Sequence, residues 1–215
     1  MIRLAVFDMD GTLADTSPGI LNSHRFAHAM MGRKEPTADD LNGVIGGPLL
    51  GTYQSQFRFP EKEARRAVEF YRHHYAEKGI YEAELYPGIK ELLIKLKQDG
   101  LFLGVATLKS ENFAKLMLQN MEIYSYFDIV CGMDEADTRT KSGLIRTCMD
   151  TMEVSVNETV LIGDSIHDLN GSEECGVSFI GVTYGFGFTG SETSTNMIFC
   201  KNPCEILNAI KKLNL

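Results

Sequence analysis

Four acidic residues carry the strongest chemical signal in the chain. Asp8 and Asp10 stand two apart in Asp8-Met9-Asp10-Gly11-Thr12, directly after the apolar run Leu4-Ala5-Val6-Phe7. Asp164 and Asp168 stand four apart in Gly163-Asp164-Ser165-Ile166-His167-Asp168, again after an apolar run. If both runs are strands, period-2 alternation puts Asp8 and Asp10 on one side, and Gly11 permits a turn that folds Asp10 back. A helix beginning near Ser165 would face Asp168 the same way as Asp164. Carboxylates held together repel, so each is costly unless one is protonated or a cation sits between them. An all-oxygen pocket of Asp8, Asp10 and Asp164 selects a hard divalent cation, for which Mg2+ is the best match. Plainer readings exist: an Asp-Gly turn at Asp10 and a helix cap at Asp164. The turn explains Gly11 but not an acid closing a buried apolar strand.

Two further residues fit an anionic ligand. Thr107 ends an apolar run and precedes Leu108-Lys109-Ser110, where Ser110 could cap a helix; a hydroxyl beside helix-start amides makes an anion site. Thr is also an ordinary strand residue. Lys141 opens a helical pattern, where its charge opposes the helix dipole. That local cost suggests a use elsewhere, although an exposed lysine reaching solvent would also account for it.

These residues need a scaffold that brings strand ends together. Short apolar runs at 2–7, 102–106, 127–131, 159–162, 178–182 and 197–200 alternate with helical stripes. The stripes are Ile89/Leu92/Leu93/Leu96, Phe113/Leu116/Met117, Leu144/Ile145/Cys148/Met149/Met152 and Ile206/Leu207/Ile210/Leu213. Near-continuous apolar strands suit a parallel sheet buried on both faces, and the alternation predicts a doubly wound, Rossmann-like α/β core. Ligand sites in such sheets lie at the carboxyl ends of strands, where the acids fall. One gap interrupts the alternation. Residues 15–83 read as helical, with a segment around 20–31 and another after Pro60 that carries Ala64, Ala67, Val68, Tyr71 and Tyr75 on one face. The expected division is a core of 1–14 and 84–215 with an all-helical cap domain, 15–83, inserted after the first strand. Two connections across that boundary would make a hinge, with closure excluding bulk water.

Composition narrows the function classes. The 215 residues are 44% hydrophobic and 23% charged, ordinary for a globular chain. With 21 Lys+Arg against 29 Asp+Glu, the net charge of −8 argues against a nucleic-acid polymer or an anionic membrane surface as partner. Five cysteines without a C-x-x-C pair read as buried thiols in a reducing compartment. The 2–7 run is too short for a signal peptide, and the uncharged stretch 175–191 is broken by glycines. The expectation is a cytoplasmic protein.

Taken in order, Asp8-x-Asp10-Gly11-Thr12, Thr107, Lys141 and Gly163-Asp164-x-x-x-Asp168 resemble the haloacid-dehalogenase-like superfamily of phosphotransferases over nearly the whole chain. Tyr86-Pro87-Gly88 and Gly181-Val182-Thr183-Tyr184-Gly185 resemble its phosphoglycolate-phosphatase-like branch. Ile45-Gly46-Gly47-Pro48-Leu49 and Lys78-Gly79-Ile80 are similar to bacterial members described as 5′-nucleotidase-like. The resemblance implies Asp8 as the nucleophile that takes a phosphoryl group and Asp10 as general acid, then base. It implies Thr107 and Lys141 on phosphate oxygens, and Mg2+ on Asp8, the Asp10 backbone carbonyl and Asp164. Asp168 would stand behind these, orienting Lys141 or a metal-bound water. The implied activity is hydrolysis of a small phosphomonoester, with nucleoside 5′-monophosphates and 2-phosphoglycolate ahead of sugar phosphates.

Leu108 and Ser142 depart from the family, where Asn or Ser and Pro are frequent. Asp10 argues against dehalogenases and phosphonate-cleaving members, which lack an acid there. Two other readings compete. A sugar phosphomutase usually carries a hinge histidine near position 20, which here is Ile20, with His24 one turn away. A non-catalytic phospho-acceptor or phosphate-binding module needs neither a cap-sized insertion nor Asp10. Arg33, Arg66, Arg72, His73 and His74 are candidate cap residues for specificity, although charges at helical spacing usually form a solvated face.

Overall fold

The computed structural model describes residues 1–135, 137–190 and 197–214. Along the chain come β1 (Leu4–Phe7), β2 (Ala14–Asp15), α1 (Ser17–Met30), α2 (Leu49–Gly51) with a π-helical turn at Thr52–Gln56, and α3 (Glu61–Glu77). Then follow β3 (Glu84–Leu85), α4 (Ile89–Gln98), β4 (Phe102–Ser110), α5 (Glu111–Asn120), β5 (Ile129–Met133), α6 (Lys141–Met152) and β6 (Thr159–Gly163). The chain closes with α7 (Ile166–Cys175), β7 (Ser178–Val182), β8 (Ile198–Cys200) and α8 (Pro203–Leu213). It divides into two compact units, Met1–Asp15 with Glu84–Leu215, and Thr16–Ala83.

The first unit is built on a six-stranded sheet in the order β5-β4-β1-β6-β7-β8, with every pairing parallel. This is the doubly wound Rossmann-like core. β1 is fully buried and lies between β4 and β6, in register Leu4↔Phe102 and Leu4↔Thr159. Leu4 and Val6 pack with Ala106, Cys131 and Leu161 against Leu144, Ile145 and Cys148 of α6. α6 packs on α7, and α4 on α8. Right-handed crossovers put those two helix pairs on opposite faces.

Four local expectations are corrected. The strand at 102 does not stop at Ala106: β4 continues to Ser110, with a register shift against β5 between Ala106 and Ser110. Ser110 occupies the cap position of α5 without a side-chain capping bond. The buried stripe of α5 is Ala114, Met117 and Leu118, while Leu116 is exposed. Cys131, Cys148 and Cys200 are buried thiols, but Cys175 is half-buried and Cys204 exposed. β2 and β3 form a two-residue antiparallel pair that periodicity did not show. Among the described residues no helix is long and apolar enough to cross a membrane.

In the second unit α1 packs on α3. Pro60 occupies the position before α3 without a capping bond, and Glu61 and Glu63 in the first turn complement the helix dipole. Ala64, Ala67, Val68, Tyr71 and Tyr75 are its buried face. The rest of this core is aromatic and polar. His24 is 1% exposed, lies 3.1 Å by Nδ1 from the Tyr53 hydroxyl and stands 4.7 Å, ring to ring, from Tyr71. Burial pushes the His24 imidazole down to about 3. Arg33 pairs with Glu63 at 2.6 Å, and Arg66 lies over the Phe70 ring. His73 lies 3.6 Å from Glu77, and His74 lies 3.0 Å by Nδ1 from Ser23 Oγ.

Candidate active site

Strand parity explains how the acidic site assembles. Leu4 and Val6 face α6, so Asp8, two residues further on, leaves the sheet on the side of α6 and α7. Thr140 caps α6 by accepting from the Gly143 amide at 3.1 Å, which makes Lys141 the first helical residue. Lys141 is buried, and its Nζ donates to Asp8 Oδ1 at 2.5 Å and to the Ala106 carbonyl at 2.7 Å. Its third neighbour is Asp168 Oδ1 at 2.6 Å. Burial works against the Lys141 ammonium, but Asp168 and Asp8 more than offset it and hold it above the ordinary lysine range. The unfavourable dipole position is therefore compensated by two carboxylates.

α7 is capped by Ser165, not by Asp164. Asp168 Oδ2 accepts from the Ser165 amide at 3.0 Å and the Ser165 hydroxyl at 2.6 Å, closing a capping box. Asp164 is thereby left to the site. Its Oδ2 accepts from the amides of Phe186 at 2.7 Å and Gly187 at 3.3 Å, and its carbonyl from Phe188 at 2.8 Å. The loop after β7 thus wraps Asp164, and Tyr184 donates to the Thr12 carbonyl at 2.9 Å. The alternating glycines of that loop were visible in the sequence, but its hold on Asp164 was not. Gly11 closes the turn after Asp10 with φ +81°, and a Cβ there would lie 2.2 Å from Asp164 Oδ2.

One carboxylate oxygen from each of Asp8, Asp164 and Asp168 lies within 4.8 Å of the others. Burial raises the Asp8 carboxyl, opposed by Lys141 and reinforced by Asp168, Asp164 and Asp10. Burial, then Asp168, raises Asp164 to about 6 against the pull of the two loop amides. Among the described residues Lys141 is the cation that meets this group of three buried carboxylates, so the cluster is short of positive charge. An all-oxygen donor set of this kind fits a hard divalent cation.

Asp10 is placed differently. Its carboxylate is outside that group, with Oδ2 3.1 Å from Lys109 Nζ; the two side chains are 9% and 7% exposed. Asp10 Oδ1 is buried and has no hydrogen-bond partner among the described residues. Thr107 is 1% exposed, and its Oγ1 accepts from the Lys109 amide at 3.2 Å. In the sequence Lys109 gives no site signal of its own, because it follows the apolar part of β4. Its one cue is its place, in a strand that leads into the same sheet edge.

A family model described as haloacid dehalogenase-like hydrolase matches residues 5–182, which takes in Asp8, Asp10, Thr107, Lys141, Asp164 and Asp168. The chain belongs to this family. Within the haloacid dehalogenase-like hydrolases it is 39% identical to a 5′-nucleotidase of Pseudomonas aeruginosa, over 85% of this chain and 83% of the other. It is 32% identical to a phosphoglycolate phosphatase of Agrobacterium fabrum, over 85% and 81%. A crystal structure described as a predicted phosphatase from Clostridium acetobutylicum superposes with a TM-score of 0.91 at 30% identity, covering 99% of each chain. Among haloacid dehalogenase-like hydrolases the chain falls in the phosphoglycolate phosphatase and 5′-nucleotidase-like branch. The fold and the Asp8-x-Asp10 pair make it a phosphatase.

Proposed function

We propose that the protein hydrolyses small phosphomonoesters through a phospho-aspartyl intermediate on Asp8, with nucleoside 5′-monophosphates and 2-phosphoglycolate as its substrates. The observation that carries this is Asp8 at the end of β1, held by Lys141 and faced by Asp164 and Asp168. The 39% identity to a 5′-nucleotidase favours the nucleotide over 2-phosphoglycolate.

Lys141 holds Asp8 Oδ1, which leaves Oδ2 to attack phosphorus in line with the leaving oxygen. A bond forms from Asp8 to phosphorus while the ester P–O bond breaks, and Asp10 gives a proton to the departing alkoxide. Asp10 then takes a proton from water as that water attacks the phosphoryl group, and Asp8 is released with inorganic phosphate. Lys141 and Thr107 bind the non-bridging phosphate oxygens. Asp8, Asp164 and the Asp10 backbone carbonyl would hold Mg2+, which when bound neutralises the phosphoryl dianion. The phosphomutase reading finds no support, because Ile20 is buried and His24 is engaged by Tyr53 inside the helical unit.

The test is steady-state phosphate release from a phosphomonoester panel with Mg2+ or EDTA, for wild type and Asp8→Asn. Wild type is expected to turn over only with Mg2+, with highest kcat/KM on a nucleoside 5′-monophosphate, and Asp8→Asn to be inactive though folded. Wild-type rates in Asp8→Asn would overturn the covalent reading. Undiminished turnover in EDTA would overturn the cation.

A further inference from the structure

Among the described residues, Asp10 is the acid of the site that faces Lys109 and not Lys141. Lys109 and Asp10 form a pair 3.1 Å apart, with their side chains 7% and 9% exposed. A lysine this deeply covered loses most of its hydration, and such a charge persists only where a partner compensates it. Neither Lys141 nor the carboxylate cluster supplies that partner: Lys141 faces Asp8 and Asp168, and Asp10 is outside the cluster.

The backbone fixes where the Lys109 side chain starts. The register shift of β4 against β5 spans Ala106 to Ser110, and the Lys109 amide donates to Thr107 Oγ1 at 3.2 Å. On β5, Gly132 lets the strands close in at this point, since a Cβ there would lie 2.7 Å from the Lys109 carbonyl oxygen. Lys109 is thus set by the same bulge that carries the phosphate-binding candidate Thr107.

The two oxygens of Asp10 are unequal. Oδ2 faces Lys109, while Oδ1 is buried without a hydrogen-bond partner among the described residues. A buried carboxylate oxygen left without a donor is uncommon, and it marks where a ligand atom belongs. We propose that Lys109 is the positioning residue for Asp10: its ammonium fixes Oδ2, so that Oδ1 is the oxygen that exchanges a proton with the leaving group and the hydrolytic water. Lys109 touches no reacting atom and acts only through Asp10. This rests on the phospho-aspartyl reading above. Its consequence is that loss of Lys109 mimics loss of Asp10, and is felt most when the leaving group needs a proton.

The experiment compares wild type, Lys109→Met, Lys109→Arg, Asp10→Asn, the double variant of Lys109→Met with Asp10→Asn, and Asp8→Asn, all with Mg2+. The substrates are p-nitrophenyl phosphate, whose leaving group needs little protonation, and adenosine 5′-monophosphate, whose alkoxide needs it. Lys109→Met is expected to lower kcat on the nucleotide by about 10²-fold, the usual effect of misplacing a catalytic group. Its loss on p-nitrophenyl phosphate is expected to be much smaller, with KM unchanged on both. Lys109→Arg restores most of the nucleotide rate, and the double variant is no slower than Asp10→Asn. The double variant removes both charges of the buried pair, so its comparison with Asp10→Asn can be read even if Lys109→Met alone fails to fold. A rise in KM on both substrates at unchanged kcat would overturn the proposal and make Lys109 a phosphate anchor. So would losses that multiply in the double variant. If Asp8→Asn retains wild-type rates, the phospho-aspartyl reading itself falls. If Asp8→Asn is dead and Asp10→Asn shows the leaving-group dependence while Lys109→Met does not, only the Lys109 proposal falls.

Discussion

Asp168 meets Lys141 with one carboxylate oxygen, at 2.6 Å, while its other oxygen caps α7 through Ser165. One side chain thus ties a helix start to Lys141, the cation that holds Asp8.

Two substitutions separate these roles. Asp168→Asn keeps an oxygen for Ser165 but loses the charge opposite Lys141; Asp168→Ala loses both. Both are expected to reduce kcat at least tenfold, by about the weight of a lost charged contact. The alanine is expected to be less stable than the asparagine by about 1 kcal/mol, the worth of a cap. Urea denaturation of the pair measures the difference, and equal midpoints would remove the capping role.

Gly11→Ala tests the turn between the acids. Its φ of +81° is strained for alanine, and the added Cβ would lie 2.2 Å from Asp164 Oδ2. A backbone forced into this region costs about 1–3 kcal/mol. The larger expected effect is on Asp164, as an increase in the Mg2+ concentration for half-maximal activity. A Mg2+ titration matching wild type would show that the turn does not set Asp164.

The crowding of Asp8, Asp164 and Asp168 predicts that a divalent cation stabilises the folded protein. Binding at a hundredfold excess over Kd contributes about 2.7 kcal/mol. Thermal melts with and without Mg2+ are expected to show a higher Tm with the cation, and a much smaller shift in Asp164→Asn. An identical shift in that variant would place the cation elsewhere.

The helical unit predicts acid sensitivity independent of catalysis. His24 ordinarily titrates near 6.5, and burial takes it down to about 3 in the folded chain. Between those values the unfolded chain binds the extra proton, so stability is complete above pH 6.5 and declines as pH falls toward 3. His28, also lowered by burial, adds in the same direction. Chemical denaturation from pH 7.5 to 5 measures the slope, and His24→Phe is expected to flatten it. An unchanged slope in His24→Phe would assign the acid sensitivity to other groups.

Much of this was legible in the sequence, for identifiable reasons. An acid after a buried apolar run, as at Asp8 and Asp164, conflicts with its surroundings unless it has a use, and the α3 stripe from Ala64 to Tyr75 keeps helical spacing throughout. The helix-opening Lys141 was legible through its conflict with the dipole. What stayed hidden depends on contacts between distant segments. Lys109 looks like a surface residue until the bulge in β4 turns it to Asp10. Ser165 and Asp164 compete for one cap, and only the Phe186 and Gly187 amides decide which is left to the site. Leu116 and Ala114 fit the α5 pattern comparably, and packing leaves Ala114 buried and Leu116 exposed.

The order of strands also has a consequence for how the protein is made. β1 leaves a ribosome well before both its sheet neighbours, which lie at Phe102–Ser110 and Thr159–Gly163. At ~5–20 residues per second, the second neighbour follows on the order of ten to thirty seconds after the first strand. Until then Leu4-Ala5-Val6-Phe7 is an apolar segment without its sheet, and Asp8 is an ordinary aspartate. A chain interrupted before Lys141 holds both Asp8 and Asp10 and none of the residues that hold or face Asp8 from α6, β6 and α7. On the phospho-aspartyl reading, reactivity at Asp8 therefore arrives with the completion of the sheet, and a nascent chain carries Asp8 without the residues that would activate it.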